Sequence, residues 1–168
     1  IFDQVDKGST NPTRIFSWLI SASYDDKGNA IIYEYKEEDG ALVDQIQTQV
    51  NEHSRVKTAN RYLKRVKYGN SISRLIKPDL LRDPDAKWLF EVVFDYGEGH
   101  YENLPLDSNL SEDEQHLFSK ASVQADGKWS VRPDPFSSYR SGFEIRTYRR
   151  CQRVLMFHNF EELGNEPC

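Results

Sequence analysis

The residues of this chain that could do chemistry near neutral pH are four histidines, two cysteines and one arginine-rich run. His53, His100, His116 and His158 are scattered along the sequence. No two of them stand in a His-Glu-x-x-His pattern or another tight spacing that would place two imidazoles on one metal ion. His100-Tyr-Glu102, just after Gly97-Glu-Gly99, is where possible ligands crowd a loop. The glycine punctuation there predicts an exposed polar turn. No serine stands in a Gly-x-Ser-x-Gly elbow. Cys151 and Cys168 make neither a disulfide framework nor a zinc pattern. Cys151 lies in a basic run that would favour its thiolate, yet the position also suits a small strand side chain. Arg146, Arg149, Arg150 and Arg153, with Tyr148 among them, form a basic and aromatic strip. Such a strip could dock an acidic partner or a nucleic acid. The plainer expectation is a salt-bridged sheet face opposite Glu34 or Glu91. No catalytic, cofactor-binding or metal-ligating residue is therefore expected.

Composition narrows the classes further. The chain has 168 residues, 22 Lys and Arg against 27 Asp and Glu, and a formal charge of −5. One domain with a real core is the natural expectation. The acidic total argues against general nucleic-acid binding, which needs a basic face. Nine Tyr, nine Phe and three Trp suit half-buried pleated surfaces. No apolar run reaches the roughly 18 residues of a membrane-spanning helix. The sequence starts at Ile1 and shows no signal-peptide apolar core, so it is expected to be a piece of a longer protein.

The elements that must position these groups follow from periodicity. Residues 1–13 are expected to be a loose lead-in, 14–160 a single β module and 161–168 a tail. Phe16, Trp18, Ile20, Ala22 and Tyr24 alternate onto one face. Asp25 to Asn29 supply hairpin turn chemistry, and Ala30 to Lys36 return. Residues 37–60 suit a helix or an excursion, with Leu42, Val43, Ile46 and Val50 at helical spacing. Arg61 to Tyr68 form a short strand closed by Gly69 and Asn70. The stretch 71–87 wanders through Pro78 and Pro84. Trp88, Phe90, Val92, Phe94 and Tyr96 share one face of the next strand. Ser111-Glu-Asp-Glu114 matches a capping box, predicting a short helix to about Lys120. A long strand from Phe143 to about Phe157 closes the chain. Its Phe143, Ile145, Val154, Leu155 and Phe157 are expected to be largely buried. Arg149, taken as exposed, should cost well under about 1 kcal/mol on truncation. The class is mainly β, antiparallel sheets built from hairpins with one or two short helices.

Four blocks carry a family resemblance. They are Arg14-Ile-Phe-Ser-Trp-Leu19 with Tyr24-Asp-Asp-Lys-Gly-Asn-Ala-Ile-Ile-Tyr-Glu-Tyr-Lys36; Ala59-Asn-Arg-Tyr-Leu-Lys-Arg-Val-Lys-Tyr-Gly-Asn70; Trp88-Leu-Phe-Glu-Val-Val-Phe-Asp-Tyr-Gly97; and the stretch from Arg132 to His158. In this order they resemble the SpvB-like (virulence plasmid B protein) region of bacterial insecticidal toxin-complex B subunits. The resemblance implies a secreted, non-catalytic structural module, part of a β shell that encloses a toxic cargo domain. It implies as partners the other domains of the parent chain, namely a β-propeller and a YD-repeat shell, and the toxin C component. Contact with the A subunit would run through the propeller, which this sequence lacks.

Some SpvB-like proteins carry a mono-ADP-ribosyltransferase domain. That chemistry needs an Arg for the dinucleotide, a Ser-x-Ser strand and a Glu-x-Glu pair. Arg55, Ser71-Ile-Ser73 and Glu112-Asp-Glu114 stand in a suitable order, but charged residues make up 29 % of the chain, and Glu114 already has a capping role. The expectation is no enzyme. The rival binding module would hold a glycan or host protein on aromatics such as Tyr33, Tyr35, Trp88 and Tyr101.

Overall fold

The computed structural model describes residues 15–43, 58–103, 111, 119–160 and 162. It is mainly β, as the alternation predicts. Five strands make the main antiparallel sheet: β1 (Ala22–Tyr24), β2 (Ala30–Glu37), β3 (Arg61–Asn70), β4 (Trp88–Asp95) and β9 (Arg153–His158), in the order β1-β2-β3-β4-β9. Two small hairpins complete the described strands. β5 (Tyr101–Asn103) pairs with β6 (Ser119–Ala121), and β7 (Phe136–Ser138) pairs with β8 (Ile145–Thr147). A single 3-10 turn at Leu80–Arg82 is the helical element in the 71–87 excursion.

The expected hairpin over residues 16–36 is present, with Ala22 opposite Ile32 and Tyr24 opposite Ala30. Its turn works as the sequence suggests. The Asp25 carboxylate accepts from the backbone N–H groups of Lys27 and Asn29, and Gly28 takes φ +91°. Asn70, at the end of β3, locks the turn from outside. Its amide donates to Gly28 O at 3.0 Å and its carbonyl oxygen accepts from Ala30 N at 2.8 Å. The first strand is much shorter than the alternation predicts, however, and its predicted apolar face does not become core. Trp18, Ile20 and Tyr24 are exposed. Ahead of β1 the chain leaves the sheet, and Phe16 packs edge-on against Phe143 with ring centroids 6.0 Å apart.

The register defines two unlike faces, because directly opposed residues in a sheet point the same way. One face carries Tyr33, Val66, Val92 and Met156 in one row and Ile31, Tyr68, Phe90 and His158 in the next. Tyr68 stacks on Phe90 at 4.9 Å. The other face carries Glu34, Arg65, Val93 and Leu155, then Ile32, Lys67, Glu91 and Phe157. In β4 this reverses the expected burial. Trp88 and Tyr96 are buried, but Phe90, Val92 and Phe94 are only half-buried, whereas Glu91, Val93 and Asp95 are buried. The charged face tolerates burial because its charges are paired. Arg65 meets Glu91 at 2.9 Å and also donates to Val123 O, and Lys67 meets Glu34 at 2.7 Å.

The long C-terminal strand is two strands. β8 stops at Thr147, and residues 148–152 belong to no strand before β9 begins. Ile145 and Phe157 are buried and Phe143 and Leu155 half-buried, but Val154 is 60 % exposed. The connector, not a continuous strand, is what carries Tyr148 and Arg149 into the core. The helix expected from Ser111 to about Lys120 ends in a different element, since Ser119–Ala121 are strand β6; residues 112–118 lie outside the described part. So do the lead-in 1–13, most of the 37–60 excursion, and the tail apart from Glu162.

Gly28 offers a test of the hairpin. A Cβ there would stand 2.0 Å from Ser73 Oγ, in a left-handed backbone conformation, whereas a Cβ at Gly99, also left-handed at φ +98°, would meet nothing within 4 Å. Gly99→Ala should show only the left-handed penalty of about 1–2 kcal/mol. Gly28→Ala should cost clearly more. Urea midpoints of the two variants give the comparison.

Candidate functional site

Beyond the register shift between Glu34 and Tyr35, where Tyr62 stands opposite Lys36, the sheet is covered by a roofed core. Tyr62 from β3 and Tyr96, just after β4, meet Trp129 edge-on, with centroids 5.3 Å (Tyr62–Trp129) and 6.0 Å (Tyr96–Trp129) apart. Burial pushes the Tyr62 hydroxyl up to about 12, and burial likewise raises that of Tyr96. Both phenols are used for structure. Tyr96 donates to Leu63 O at 2.9 Å, and Tyr62 accepts from Tyr148 N at 3.0 Å.

Two polar clusters are built into this roof. In the first, the Arg149 guanidinium lies against the Glu38 carboxylate, with Nε to Oε2 at 2.9 Å and both side chains fully buried. Arg149 also donates to Trp129 O and Ala41 O, each at 2.9 Å. Its guanidinium sits 4.4 Å from the Trp129 ring centroid. The Trp129 indole N–H donates to Asp39 at 2.7 Å. A planar guanidinium meets a carboxylate by several parallel hydrogen bonds and stacks on an indole, which a lysine ammonium cannot do.

In the second cluster, Glu98 accepts from both Lys36 and Lys64. Burial alone would raise the Glu98 carboxyl, but these two ammonium groups outweigh it and hold it below the ordinary glutamate value. Lys64 also donates to Phe94 O at 3.0 Å and lies 2.8 Å from His100 Nε2. His100 Nδ1 is 2.8 Å from Ser122 O. A carbonyl only accepts, so the proton sits on Nδ1 and Nε2 accepts from Lys64. Lys36 completes the group 4.3 Å from the Trp129 centroid. Gly127 is what lets its loop close on the cluster, because a Cβ there would stand 2.3 Å from Glu98 O.

Arginine positions in the sequence are sorted sharply by this geometry. The expected salt bridges exist with other partners: Glu34 and Glu91 are taken by Lys67 and Arg65. Arg149, expected on the surface, is 2 % exposed, and Arg153 pairs with Asp95 at 3.2 Å. Arg150 is exposed. The turn around His100, expected to be polar and exposed, is buried at Glu98 and His100. Of the aromatics offered as a binding surface, Trp88 is buried and Tyr33, Tyr35 and Tyr101 are half-buried. Arg153 covers the Tyr101 ring at 4.7 Å.

The residues of the transferase pattern do not come together. Ser71 and Ser73 lie in the turn after β3, not in a strand, where Ser71 N donates to Lys87 O and Ser73 Oγ to Lys27 O. Arg55, Glu112, Glu114, His53 and His116 lie outside the described residues. His158 is on β9, edge-on to Phe90 at 5.5 Å. Cys151 donates its thiol to Arg153 O at 3.1 Å, and burial, with Asp95 nearby, pushes its pKa up rather than down. Among the described residues no group of His, Cys, Asp and Glu is arranged to hold a metal ion, and no helix is long and apolar enough to cross a membrane.

The profile of the family described as Salmonella virulence plasmid 65kDa B protein matches residues 1–160. The chain belongs to the SpvB family. It is 39 % identical over 153 residues to the Mono(ADP-ribosyl)transferase SpvB of Salmonella typhimurium strain 14028s, covering 88 % of this chain and 22 % of that protein. The chain thus spans about a fifth of the length of the curated relatives it matches. The structure of the N-terminal domain of effector protein SpvB from Salmonella typhimurium strain LT2 superposes with a TM-score of 0.66 at 37 % identity, covering 90 % of this chain and 42 % of that one. A chain in the crystal structure of TcdB2-TccC3-Cdc42 gives 0.60 at 33 % identity, covering 89 % of this chain and 7 % of that one. A chain of the Photorhabdus luminescens Tc holotoxin pore gives 0.61 at 34 %, covering 90 % and 6 %.

Two outcomes are expected. Arg149→Ala leaves the Glu38 charge buried and unpaired, a loss of about 3–5 kcal/mol. Arg150→Ala, on the next and exposed residue, should change stability by less than about 0.5 kcal/mol. Urea denaturation of both variants checks this. For Glu98, a lowered folded pKa means stability that is complete above the unfolded value of 4.5 and is lost as pH falls through the lower folded one. Wild type should therefore exceed Glu98→Gln by about 3 kcal/mol at neutral pH. The gap should narrow as pH drops into the carboxylate range. Thermal midpoints across a pH series give the readout.

Proposed function

We propose that this chain is a non-catalytic structural module of a secreted virulence or toxin-complex protein, with its paired strands forming part of a β shell around a toxic cargo. The observation that carries this is the recurrence of one β module, at 33–37 % identity, in the SpvB N-terminal domain and in two Tc toxin assemblies. A unit used in such different proteins supplies scaffold rather than a single reaction. The buried side chains support the same reading. Arg149, Glu38, Glu98, Lys64 and His100 spend their polar atoms on one another and on backbone groups. In this reading residues 14–160 act as one module with no catalytic, cofactor or metal residue. Its partners are the remaining domains of a longer polypeptide, propeller and YD-repeat shell, and the C component. The A subunit is met elsewhere.

The relatives' names raise an enzymatic reading. We assign that activity to the part of those proteins outside the match. The purified chain should neither hydrolyse NAD nor transfer ADP-ribose to proteins of a host-cell extract. NAD turnover that disappears in Glu114→Ala, with the fold retained, would overturn the non-catalytic reading. The scaffold role has its own test. Residues 14–160 grafted over the matching stretch of TcdB2 should still allow its complex with TccC3 to form, and a graft carrying Arg149→Ala should assemble poorly. An intact graft that folds but never assembles with TccC3 refutes the role in the shell.

A further inference from the structure

The cluster around Glu98 and His100 accepts a fixed number of protons. A lysine ammonium has three donors and no acceptor. Lys64 spends them on Glu98, on Phe94 O at 3.0 Å and on His100 Nε2 at 2.8 Å. His100 spends its one N–H on Ser122 O at 2.8 Å. Each donor has an acceptor, in a place where His100 is 1 % and Glu98 4 % exposed. A further proton has nowhere to go. On Nε2 it would turn an acceptor into a donor, leave a Lys64 N–H with nothing to receive it, and set two cations 2.8 Å apart. Buried donors without acceptors and buried like charges both destabilise a fold.

The charges around the ring do not offset this. Glu98 lies 3.7 Å from Nε2, but it already serves Lys36 of β2 and Lys64 of β3. Arg65, next on β3, repels the Lys64 ammonium and has Glu91 as its own partner. Asp95, the last residue of β4, accepts from Gly97 N and Arg153. Asp39, on the far side of Lys36, is taken by Trp129 and Arg149, and Glu38 is matched to Arg149. Cys151 in the connector holds its thiol on Arg153 O. One carboxylate therefore faces two ammonium groups and the ring.

We propose that the chain of contacts Lys64–His100–Ser122 is an acid-sensitive latch, closed while His100 is neutral, that releases the β5–β6 hairpin from the main sheet when the ring takes a proton. His100 stands directly before β5 and Ser122 directly after β6. Ser122 N also donates to His100 O at 2.8 Å. The ring thus ties both feet of the hairpin to Lys64 on β3. The sign follows from which state can take the proton. A hydrated imidazole in the unfolded chain takes it near the ordinary histidine value of about 6.5, and the closed cluster has no place for it. The unfolded state then binds more protons. Stability falls as pH drops through that value, by up to about tenfold in the folding equilibrium constant per pH unit. This window lies above the carboxylate range in which Glu98 acts. The latch needs nothing from the shell reading and stands or falls separately.

The test follows the urea midpoint of the full chain as pH is lowered from neutral to just above the carboxylate range. Wild type should lose stability below about pH 6.5. His100→Gln does not titrate and keeps an oxygen for Lys64, so it should flatten that slope. His158→Gln, on β9, should leave the slope in place. Amide exchange locates the change. Ser122 and Gly127, whose N–H groups bond His100 O and Glu98 O, should lose protection with falling pH before β2 and β3 do. NMR of the wild-type His100 ring needs no variant to fold, and should show a proton on Nδ1 and none on Nε2 for as long as those two amides stay protected. Four results overturn the latch. They are a flat wild-type profile, a slope that His100→Gln leaves unchanged, protection lost everywhere at the same pH, and a ring that takes its second proton while Ser122 and Gly127 remain protected.

Discussion

A buried guanidinium without its carboxylate is among the costliest single defects a small domain can carry, and the roof of this sheet is arranged around avoiding it. Arg149 sits between Glu38, the Trp129 carbonyl and the Ala41 carbonyl. Together these contacts join three parts of the chain. Glu38 follows β2, Trp129 follows the β5–β6 hairpin, and Arg149 belongs to the connector before β9. Strand pairing alone would leave those three segments free to slide over the sheet. The ion pair fixes them in one arrangement, and Trp129 then fills the space against Tyr62 and Tyr96.

The second cluster solves a related problem by a different route. Glu98 draws two ammonium groups into the roof, and His100 links one of them to the Ser122 carbonyl. Hydrophobic burial is non-directional, so it does little to choose between neighbouring registers of a roof on a sheet. Charged hydrogen bonds are directional and punish a wrong register. In this family member, specificity of packing rests on polar groups while the bulk of the stabilisation rests on aromatic ones.

Strand existence was legible in the sequence, and burial was not. The alternations in Ala30–Lys36, Arg61–Tyr68 and Trp88–Tyr96 mark β2, β3 and β4, because a period of two survives in any sheet. Which face becomes core depends on what covers the sheet, and the covering segments are distant in sequence. That is why Phe90 and Val92 remain half-buried while Glu91 and Asp95 are buried. The arginine run shows the same limit. Nothing in Tyr148-Arg-Arg150 distinguishes the innermost arginine from its exposed neighbour until Glu38 and Trp129 are brought against it. A signal was present, though, in Glu37-Glu-Asp39 and in Glu98 between two glycines. Acidic residues placed next to strand ends are candidates for partners to buried cations. The four blocks of family resemblance carried the rest, and the match over residues 1–160 agrees with them.

The Arg149–Glu38 contact also sets an order of events in time. Its two residues are 111 positions apart in the chain. A chain made or moved from its amino end can close the β1–β2 hairpin from neighbouring residues at once, whereas contacts of long sequence separation wait for distant segments. Glu38 does not meet Arg149 until the 111 positions that separate them have appeared. Until then Trp129 lacks one of its cations and β4 lacks β9. The contact that locks the roof therefore forms after the local β1–β2 hairpin, when the segment carrying Arg149 arrives.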